Sequence, residues 1–195
     1  GMALKLATAP TTEPVTLTEA KTHLRVDISE DDTYIGTLIT AARNIAETWT
    51  ARALVTQTWE LYMDAFPANG FTLPRPPLQS ITSIKYTPLG GAETTVSSSL
   101  YKVDAVTEPG RVVLASSAAW PSTELSEVNG VVVKFVAGYG SASDVPQAIK
   151  QGILLLVGTM YESREDVLVG QGAMANELPL AAKRLLLPYR MWRAW

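Results

Sequence analysis

The sequence predicts an α+β fold in which N- and C-terminal helices pack as one helical layer, with a β-rich insertion of about six or seven short strands between them. Near both ends of the chain, apolar residues recur at steps of three and four, which is the period of an amphipathic helix. In the middle, runs of β-branched and aromatic residues alternate with polar ones and are separated by Gly and Pro. These periods predict that residues 16–53 and 144–195 are helical and that residues 54–140 form the strands.

Residues 1–15 carry Pro10 and Pro14 among several threonines, a composition that predicts an extended arm. Two interpretations of this arm remain open: a frayed chain end, or a segment that lies along a neighbouring subunit. Residues 16–195 are predicted to form a single domain, because 195 residues are enough for one hydrophobic core and not comfortably for two.

Two helices with start signals are predicted after the arm. Thr16 precedes Glu19 by three residues, the spacing of a capping box, and Ser29 and Asp32 repeat it. The second helix carries one apolar stripe, formed by Ile35, Leu38, Ile39, Ala42, Ala46 and Trp49. Arg43, Asn44 and Glu47 fall outside this stripe, so we expect this polar side to meet a neighbouring subunit.

The insertion reads as short strands separated by turn residues. Pro67, Asn69 and Gly70 form one turn signal, and Gly90-Gly91 and Glu108-Pro109-Gly110 favour hairpins. The predicted strands are 54–63, 71–73, 78–87, 93–96, 101–105, 111–114 and 131–137.

Helical periodicity returns after residue 140. Asp144 is predicted to cap a helix that has Pro146 in its first turn. The loop 167–176, which contains Gly170 and Gly172, is predicted to be mobile. A last helix is predicted over 180–187, and Pro188 ends or kinks it.

Residues with catalytic or metal-binding chemistry are sparse. His23 is the only histidine and there is no cysteine, which excludes thiolate metal sites and disulfides, and no Gly-x-Ser-x-Gly motif accompanies the histidine. The acids Asp27, Glu30, Asp31 and Asp32 lack the spacing of a calcium loop and are interpreted as complementing the positive end of a helix. The sequence therefore predicts no catalytic residue, no metal and no cofactor.

Bulk charge does not favour a nucleic-acid-binding protein. The net charge is −3 and only 18% of residues are charged, against about 25% in typical soluble domains. A surface with few charges favours an assembly over a monomer, and a mildly acidic wall could line a DNA passage without gripping phosphates. No apolar run approaches the length of a membrane span.

The C-terminal tail is unusual in composition. Arg190, Trp192, Arg193 and Trp195 place two guanidinium groups and two indoles in six residues. These residue types dominate protein interfaces, and they also stack on single-stranded nucleic acid. Three interpretations remain open: packing against the helices, docking of a partner, and nucleic-acid binding.

A series of motifs runs in order through nearly the whole chain: LTEAKTHLRVD, EDD, LITAARNIAETWTARAL, QTWELYMDAFP, LPRPPLQSITSIKY, VKFVAGYG, DVPQAIKQGILLLVGTMYESRE and ELPLAAKRLLLPYRMW. In this order they resemble the small head-tail connector (head-completion adaptor) proteins of tailed bacteriophages and prophages. The resemblance implies a structural protein without catalytic residues. It would form a ring of about a dozen copies under the portal, extend the DNA channel used in packaging, and dock the next head-tail joining protein.

The resemblance further implies a location in the virion neck, after assembly in the host cytoplasm. It also implies contacts between helices of neighbouring subunits, and contacts from loops or terminal segments to the portal. By position, the candidate contact residues are Arg43, Asn44, Glu47, Gly170, Gly172, Arg190, Trp192, Arg193 and Trp195. DNA would pass without sequence-specific binding, and no membrane would be involved.

A second hypothesis comes from a different functional class. The insertion could be a carbohydrate- or peptide-binding β module carried on a helical scaffold, in a phage tail or a host-surface component. This hypothesis predicts a concave patch in which Trp59, Tyr62, Tyr86 or Tyr101 are exposed together.

Overall fold

The computed structural model describes residues 1–164 and 178–192, which fold into two compact units. The β unit contains residues 1–11 and 56–139, and the helical unit contains residues 12–55, 140–164 and 178–192. The protein is therefore mixed α+β, with a β-rich region between helices, as the sequence predicts.

Two antiparallel sheets make up the β unit. One has the strand order β1-β2-β8-β4-β5 and the other the order β3-β7-β6. Seven of the strands lie in the predicted insertion, and β7 and β8 have the predicted bounds. The strands are β1 (Met2–Thr8), β2 (Gln57–Met63), β3 (Phe71–Thr72), β4 (Leu78–Tyr86), β5 (Thr94–Thr95), β6 (Tyr101–Asp104), β7 (Arg111–Leu114) and β8 (Val131–Ala137).

The larger sheet is organised around β8, which pairs with both β2 and β4. Along β8, Val131, Val133 and Phe135 are completely buried, while the residues between them are partly exposed. This alternation is the two-residue period of a strand with one buried face. The register continues the buried face onto β2, where Val133 lies opposite Leu61.

The N-terminal arm has a more definite structure than its composition indicates. Met2–Thr8 forms β1, which pairs antiparallel with β2 from Met2 opposite Met63 to Thr8 opposite Thr58. Residues 12–15 belong to the helical unit. The single domain over residues 16–195 stays a prediction.

Four helices form the helical unit within the described residues: α1 (Leu17–Leu24), α2 (Asp32–Thr50), α3 (Gln147–Glu162) and α4 (Leu180–Leu186). The N- and C-terminal helices pack together, because α3 contacts α1, α2 and α4. The approach of α3 to α4 is close at Gly152, where an added Cβ would lie 3.0 Å from Leu186 Cδ2.

The predicted start of α1 is confirmed, and the predicted starts of α2 and α3 are wrong. Thr16 and Glu19 form the reciprocal hydrogen bonds of a capping box. Before α2, Asp31 occupies the N-cap position without a side-chain cap bond, and Ser29 contributes only its carbonyl, to Asp32 N. Asp144 does not cap α3, because it closes a short 3₁₀ turn with Ser141 and Pro146 precedes the helix.

Five of the six residues of the apolar stripe predicted for α2 enter the core, and the sixth, Trp49, is only partly buried. Ile35, Ala42 and Ala46 have no exposed surface, and Leu38 and Ile39 are nearly as buried. The corresponding stripe of α3, with Ile149, Ile153, Leu156, Val157 and Met160, is also buried. None of the helices in the described ranges has the length and apolarity needed to cross a membrane.

Candidate interaction surface

The chain after α4 lies against the C-terminal end of α2. Met191 N donates to Thr50 O at 2.9 Å, and Arg52 Nε donates to Tyr189 O. Arg52 is only 6% exposed and also lies 3.6 Å from Met191 Sδ through Nη2. A backbone bond and a buried guanidinium therefore fix residues 189–191 to the helical unit.

Arg190 lies between two indoles on this surface. Its guanidinium carbon is 4.4 Å from the centre of Trp49, on the last turn of α2, and 4.6 Å from the centre of Trp192. Both distances are typical of cation–π contacts. Trp192 is nevertheless 73% exposed, so a large aromatic surface is held in place and open to solvent.

A shallow groove of about 200 Å³ adjoins Trp49 on the same helix. It is lined by Asn44, Ile45, Thr48 and Trp49. We call the groove together with Arg190 and Trp192 the tail surface. Of the residues predicted from the sequence, Asn44, Arg190 and Trp192 are thus brought to one region through their common neighbour Trp49.

Arg43 and Glu47 have an internal role that the sequence did not indicate. Arg43 donates to Glu13 through Nε at 2.9 Å and to Glu47 Oε1 through Nη1 at 3.0 Å. Glu47 is 5% exposed and accepts from Leu54 N at 2.9 Å. This network ties the segment before α1 and the segment after α2 to the middle of α2.

The network also offsets the burial of Arg43. Burial alone would lower the pKa of Arg43, but its hydrogen bonds to Glu13 and Glu47 outweigh burial and raise that pKa above its ordinary value. Asn44 is the exposed member of the predicted trio, and its Oδ1 accepts from Arg43 Nη1 at 2.9 Å. Contact of this side with a neighbouring subunit stays a prediction.

The acidic turn between α1 and α2 makes contacts with the end of α3 that the sequence does not indicate. Asp31 accepts from the Tyr161 hydroxyl at 2.6 Å and from Arg164 at 3.2 Å. The Arg164 guanidinium also lies 4.1 Å from the ring centre of Tyr34. The Tyr161 hydrogen bond lowers the pKa of Asp31 and raises the pKa of Tyr161, so the turn is anchored to the end of α3.

The described residues contain no group of three or more His, Cys, Asp or Glu side chains arranged to hold a metal ion. His23 is half-buried and faces α3, where an added Cβ on Gly158 would lie 3.5 Å from its Nε2. Its position on α1 is therefore explained by packing against a glycine of the neighbouring helix.

The four rings of the proposed carbohydrate or peptide site do not form one exposed patch. Trp59, Tyr62, Tyr86 and Tyr101 are all only partly exposed. Trp59 and Tyr62 are three residues apart on β2, so they point to opposite faces of the sheet. Tyr86 lies edge-on to Phe66 and Tyr101 lies against Trp120, both within an aromatic cluster of the β unit. A single patch of all four rings is therefore not formed.

Four of the residues predicted from the sequence lie outside the described part of the chain. They are Gly170, Gly172, Arg193 and Trp195. Their proposed contacts stay predictions.

Comparisons with known proteins point in one direction. The family model described as "Head completion protein" matches residues 13–192. No curated protein matches the chain significantly.

Three solved structures similar to this chain come from gene transfer agent (GTA) particles. A chain in the neck of an empty GTA particle, computed with C6 symmetry, is 25% identical with a TM-score of 0.77, covering 99% of this chain and 97% of its own. A chain from the virion of a native GTA particle is 25% identical with a TM-score of 0.79, at 98% and 97% coverage. A chain in the neck of a native GTA particle, computed with C12 symmetry, is 26% identical with a TM-score of 0.74, at 99% and 97% coverage.

Proposed function

The chain belongs to the head completion protein family, and we propose that it is a structural subunit of the neck of a phage or phage-like particle. In this role, copies form a ring under the portal, extend the DNA channel and dock the next head-tail joining protein. The observation that carries the proposal is the similarity to neck chains over nearly the full length of both proteins. The proposed role is structural and not enzymatic.

The symmetry of the similar particles supports a ring. Their necks are described with C6 and C12 symmetry, and a cyclic ring is the closed form of a head-to-tail contact between identical subunits. We therefore propose that this chain also assembles as a ring of about a dozen copies. Assembly would take place in the host cytoplasm, and the product would be part of the virion.

The tail surface is the candidate docking site for the portal. It joins an exposed Trp192 to an Arg190 already oriented by Trp49. Aromatic and arginine residues dominate the energetics of protein interfaces, and a side chain already held in one orientation loses less entropy on binding. Residues 189–191 are fixed by a backbone bond to Thr50 and by the side chain of Arg52, which follows α2, so this surface would be presented in a defined position.

Passage of DNA without specific binding agrees with the charge of the chain. The net charge of −3 gives no overall attraction for phosphates. A channel wall must let DNA move, and a strongly basic wall would retain it. We propose that DNA is a passing cargo and not a ligand.

Reconstitution with a portal protein tests the proposed function. The purified chain is mixed with the portal encoded in the same genome and examined by light scattering and negative-stain microscopy. Rings on the portal, or free rings, are expected. Absence of any oligomer and of any portal binding across salt and pH conditions would contradict the proposal.

The tail surface can be tested within the same experiment. Trp192→Ala and Arg190→Ala should each weaken portal binding by roughly tenfold or more, as expected for residues central to an interface. Val106→Ala is the matched control, because Val106 is 94% exposed but belongs to the β unit. Equal binding of all three variants would exclude the tail surface as the docking site.

A further inference from the structure

The outward face of α4, extended by Leu187 directly after the helix, carries two leucines and two cations on one stripe. Leu180 is 63% exposed and Leu187 41% exposed, and Lys183 and Arg184 between them are also exposed. Steps of three, four and seven residues place these side chains on the same side of the helix. The opposite side, with Ala182 and Leu186, is completely buried.

The two cations of this face have no ionic partner among the described residues. Neither Lys183 nor Arg184 takes part in an ion pair or a side-chain hydrogen bond in those parts of the chain. The α4 face thus presents two positive charges flanked by apolar surface, and nothing in the described residues covers it.

A surface of opposite charge lies elsewhere in the same unit, on the turn between α1 and α2. Asp27 and Glu30 are exposed there, on either side of Ile28, which is 53% exposed. The next two acids are already engaged, Asp31 by Tyr161 and Arg164 and Asp32 by Lys21. Asp27 and Glu30 make no ion pair with a described residue, so they place two negative charges around Ile28, while the exposed Arg25 lies at the start of the turn next to α1.

We propose that the α4 face of one copy docks on the α1–α2 turn of the next copy. This inference rests on the ring proposed above and names the contact that closes it. A cyclic ring needs two different surfaces on each subunit that fit one another. The exposed charges of the α4 face are positive, whereas the outer part of the turn carries Asp27 and Glu30, and both surfaces also expose aliphatic side chains that the contact would remove from water.

A second copy fits the α4 face better than DNA does. Contacts to a phosphate backbone use cations and polar groups, whereas Leu180 and Leu187 would remain exposed to water beside a duplex. Packing of these leucines against Ile28 of a neighbouring copy removes apolar surface from water, and the pairing of opposite charges sets the register. DNA is kept as an outcome of the test.

Charge exchange provides the test. The α4 reversal is Lys183→Glu with Arg184→Glu, and the turn reversal is Asp27→Lys with Glu30→Lys. Each reversal alone should raise the protein concentration needed for half-assembly, with portal present, by roughly tenfold or more, because like charges then face each other. The chain carrying both reversals should assemble close to the wild-type concentration, because the charges are opposite again.

Two controls separate this contact from general effects. Lys102→Glu makes the same chemical change on an exposed strand of the β unit and is compared with the single substitution Lys183→Glu. Only Lys183→Glu should affect assembly. Circular dichroism and thermal unfolding verify that each variant is folded, as expected for substitutions at exposed positions.

The outcomes distinguish the inference from the proposed function. If wild type forms rings and both reversals form them equally well, the docking contact is wrong and the proposed function stands. Failure of the doubly reversed chain to recover, with both single reversals impaired, would contradict the pairing of these two surfaces. An α4 reversal that weakens binding of a short DNA duplex while leaving rings intact would overturn the inference in favour of DNA. A wild type that forms no ring with or without portal contradicts both proposals.

Discussion

Arg43 Nη1 and Glu47 Oε1 lie 3.0 Å apart on successive turns of α2, and the other oxygen of Glu47 accepts from Leu54 N. The two side chains are 14% and 7% exposed. A pair so far removed from water is stable only when its remaining hydrogen-bonding groups are satisfied. Glu13 provides this on the Arg43 side, so two salt bridges and the Leu54 hydrogen bond link three separate parts of the helical unit.

Removing either partner of this pair should destabilise the protein. Arg43→Ala leaves Glu47 buried and without its cation, and we expect a loss of about 2–4 kcal/mol in the free energy of unfolding, measured by urea denaturation. Thr48→Ala is the control, because Thr48 is exposed on the same helix and its side chain makes no hydrogen bond to a described residue, so its removal should not lower stability. Equal stability of the two variants would mean that the network does not form in solution.

A contact between this side of α2 and a neighbouring subunit is therefore better tested by substituting Asn44 than by substituting Arg43. A charge reversal at Arg43 would confuse loss of folding with loss of contact. Asn44→Arg adds bulk and charge at an exposed position next to the groove that Trp49 lines. If this side meets a neighbouring subunit, Asn44→Arg should reduce ring formation without a change in thermal unfolding. Normal rings would contradict the predicted contact.

Substitution of alanine by glycine should stabilise the protein at the end of α2 and destabilise it in the interior of the same helix. Ala51 terminates the helix in the left-handed region, with φ of 57°, where a Cβ costs about 1 kcal/mol or more. Ala51→Gly should therefore raise the free energy of unfolding by about 0.5–1 kcal/mol. Ala41→Gly, in the interior of the same helix, should lower it by about 1 kcal/mol. Urea denaturation of both variants checks the difference, and a loss in both would contradict the left-handed end.

Replacement of two helical glycines by alanine should change the stability of the protein in opposite directions. An added Cβ at Gly36 meets no heavy atom within 4 Å, so Gly36→Ala should stabilise α2 by up to about 1 kcal/mol. The same change at Gly152 would crowd the buried Leu186 at 3.0 Å and should cost about 1–3 kcal/mol. Truncating the neighbour provides the check: in a double-mutant cycle of thermal unfolding, Leu186→Ala should reduce the cost of Gly152→Ala. If the losses of stability from the two substitutions are simply additive, Gly152 and Leu186 do not contact each other, and α3 and α4 lie farther apart in solution than in the structure.

Local signals in the sequence predicted the elements well. The capping box at Thr16 and Glu19 and the buried stripe of α2 each depend on residues within one or two turns of each other. Strand β8 was predicted with its observed bounds because alternation is also a local pattern. These features need no knowledge of the rest of the chain.

Pairings between distant segments could not be predicted in the same way. Strand β1 pairs with β2, more than fifty residues later, and its own composition indicates only an extended segment. Glu47 reads as a residue of the polar side, and its burial depends on Leu54 N and Arg43. Asp31 reads as a helix-dipole acid, and its partner Tyr161 is 130 positions away. The tail surface likewise requires Arg190 to meet Trp49 across the helical unit.

The β6–β7 hairpin depends on one carboxylate. Asp104 accepts from Val106 N and Thr107 N, both at 3.0 Å, and from Thr107 Oγ1 at 2.8 Å. Arg111 Nε also donates to it at 2.9 Å. The hydrogen bonds from Thr107, together with those from Arg111 and Val106, hold the pKa of Asp104 well below its ordinary value near 3.8.

The lowered pKa of Asp104 predicts how stability depends on pH. The unfolded chain binds a proton at higher pH than the folded chain does, so the contribution of Asp104 is complete above about pH 4 to 5 and is lost as pH falls below its unfolded pKa. Asp104→Asn should therefore be less stable than wild type at pH 7, and the difference should shrink towards pH 2, as measured by urea denaturation across this range. Glu127→Gln, at an exposed acid without a described hydrogen-bond partner, should retain the wild-type pH profile. A constant difference between Asp104→Asn and wild type at every pH would mean that the effect of the substitution does not come from the charge.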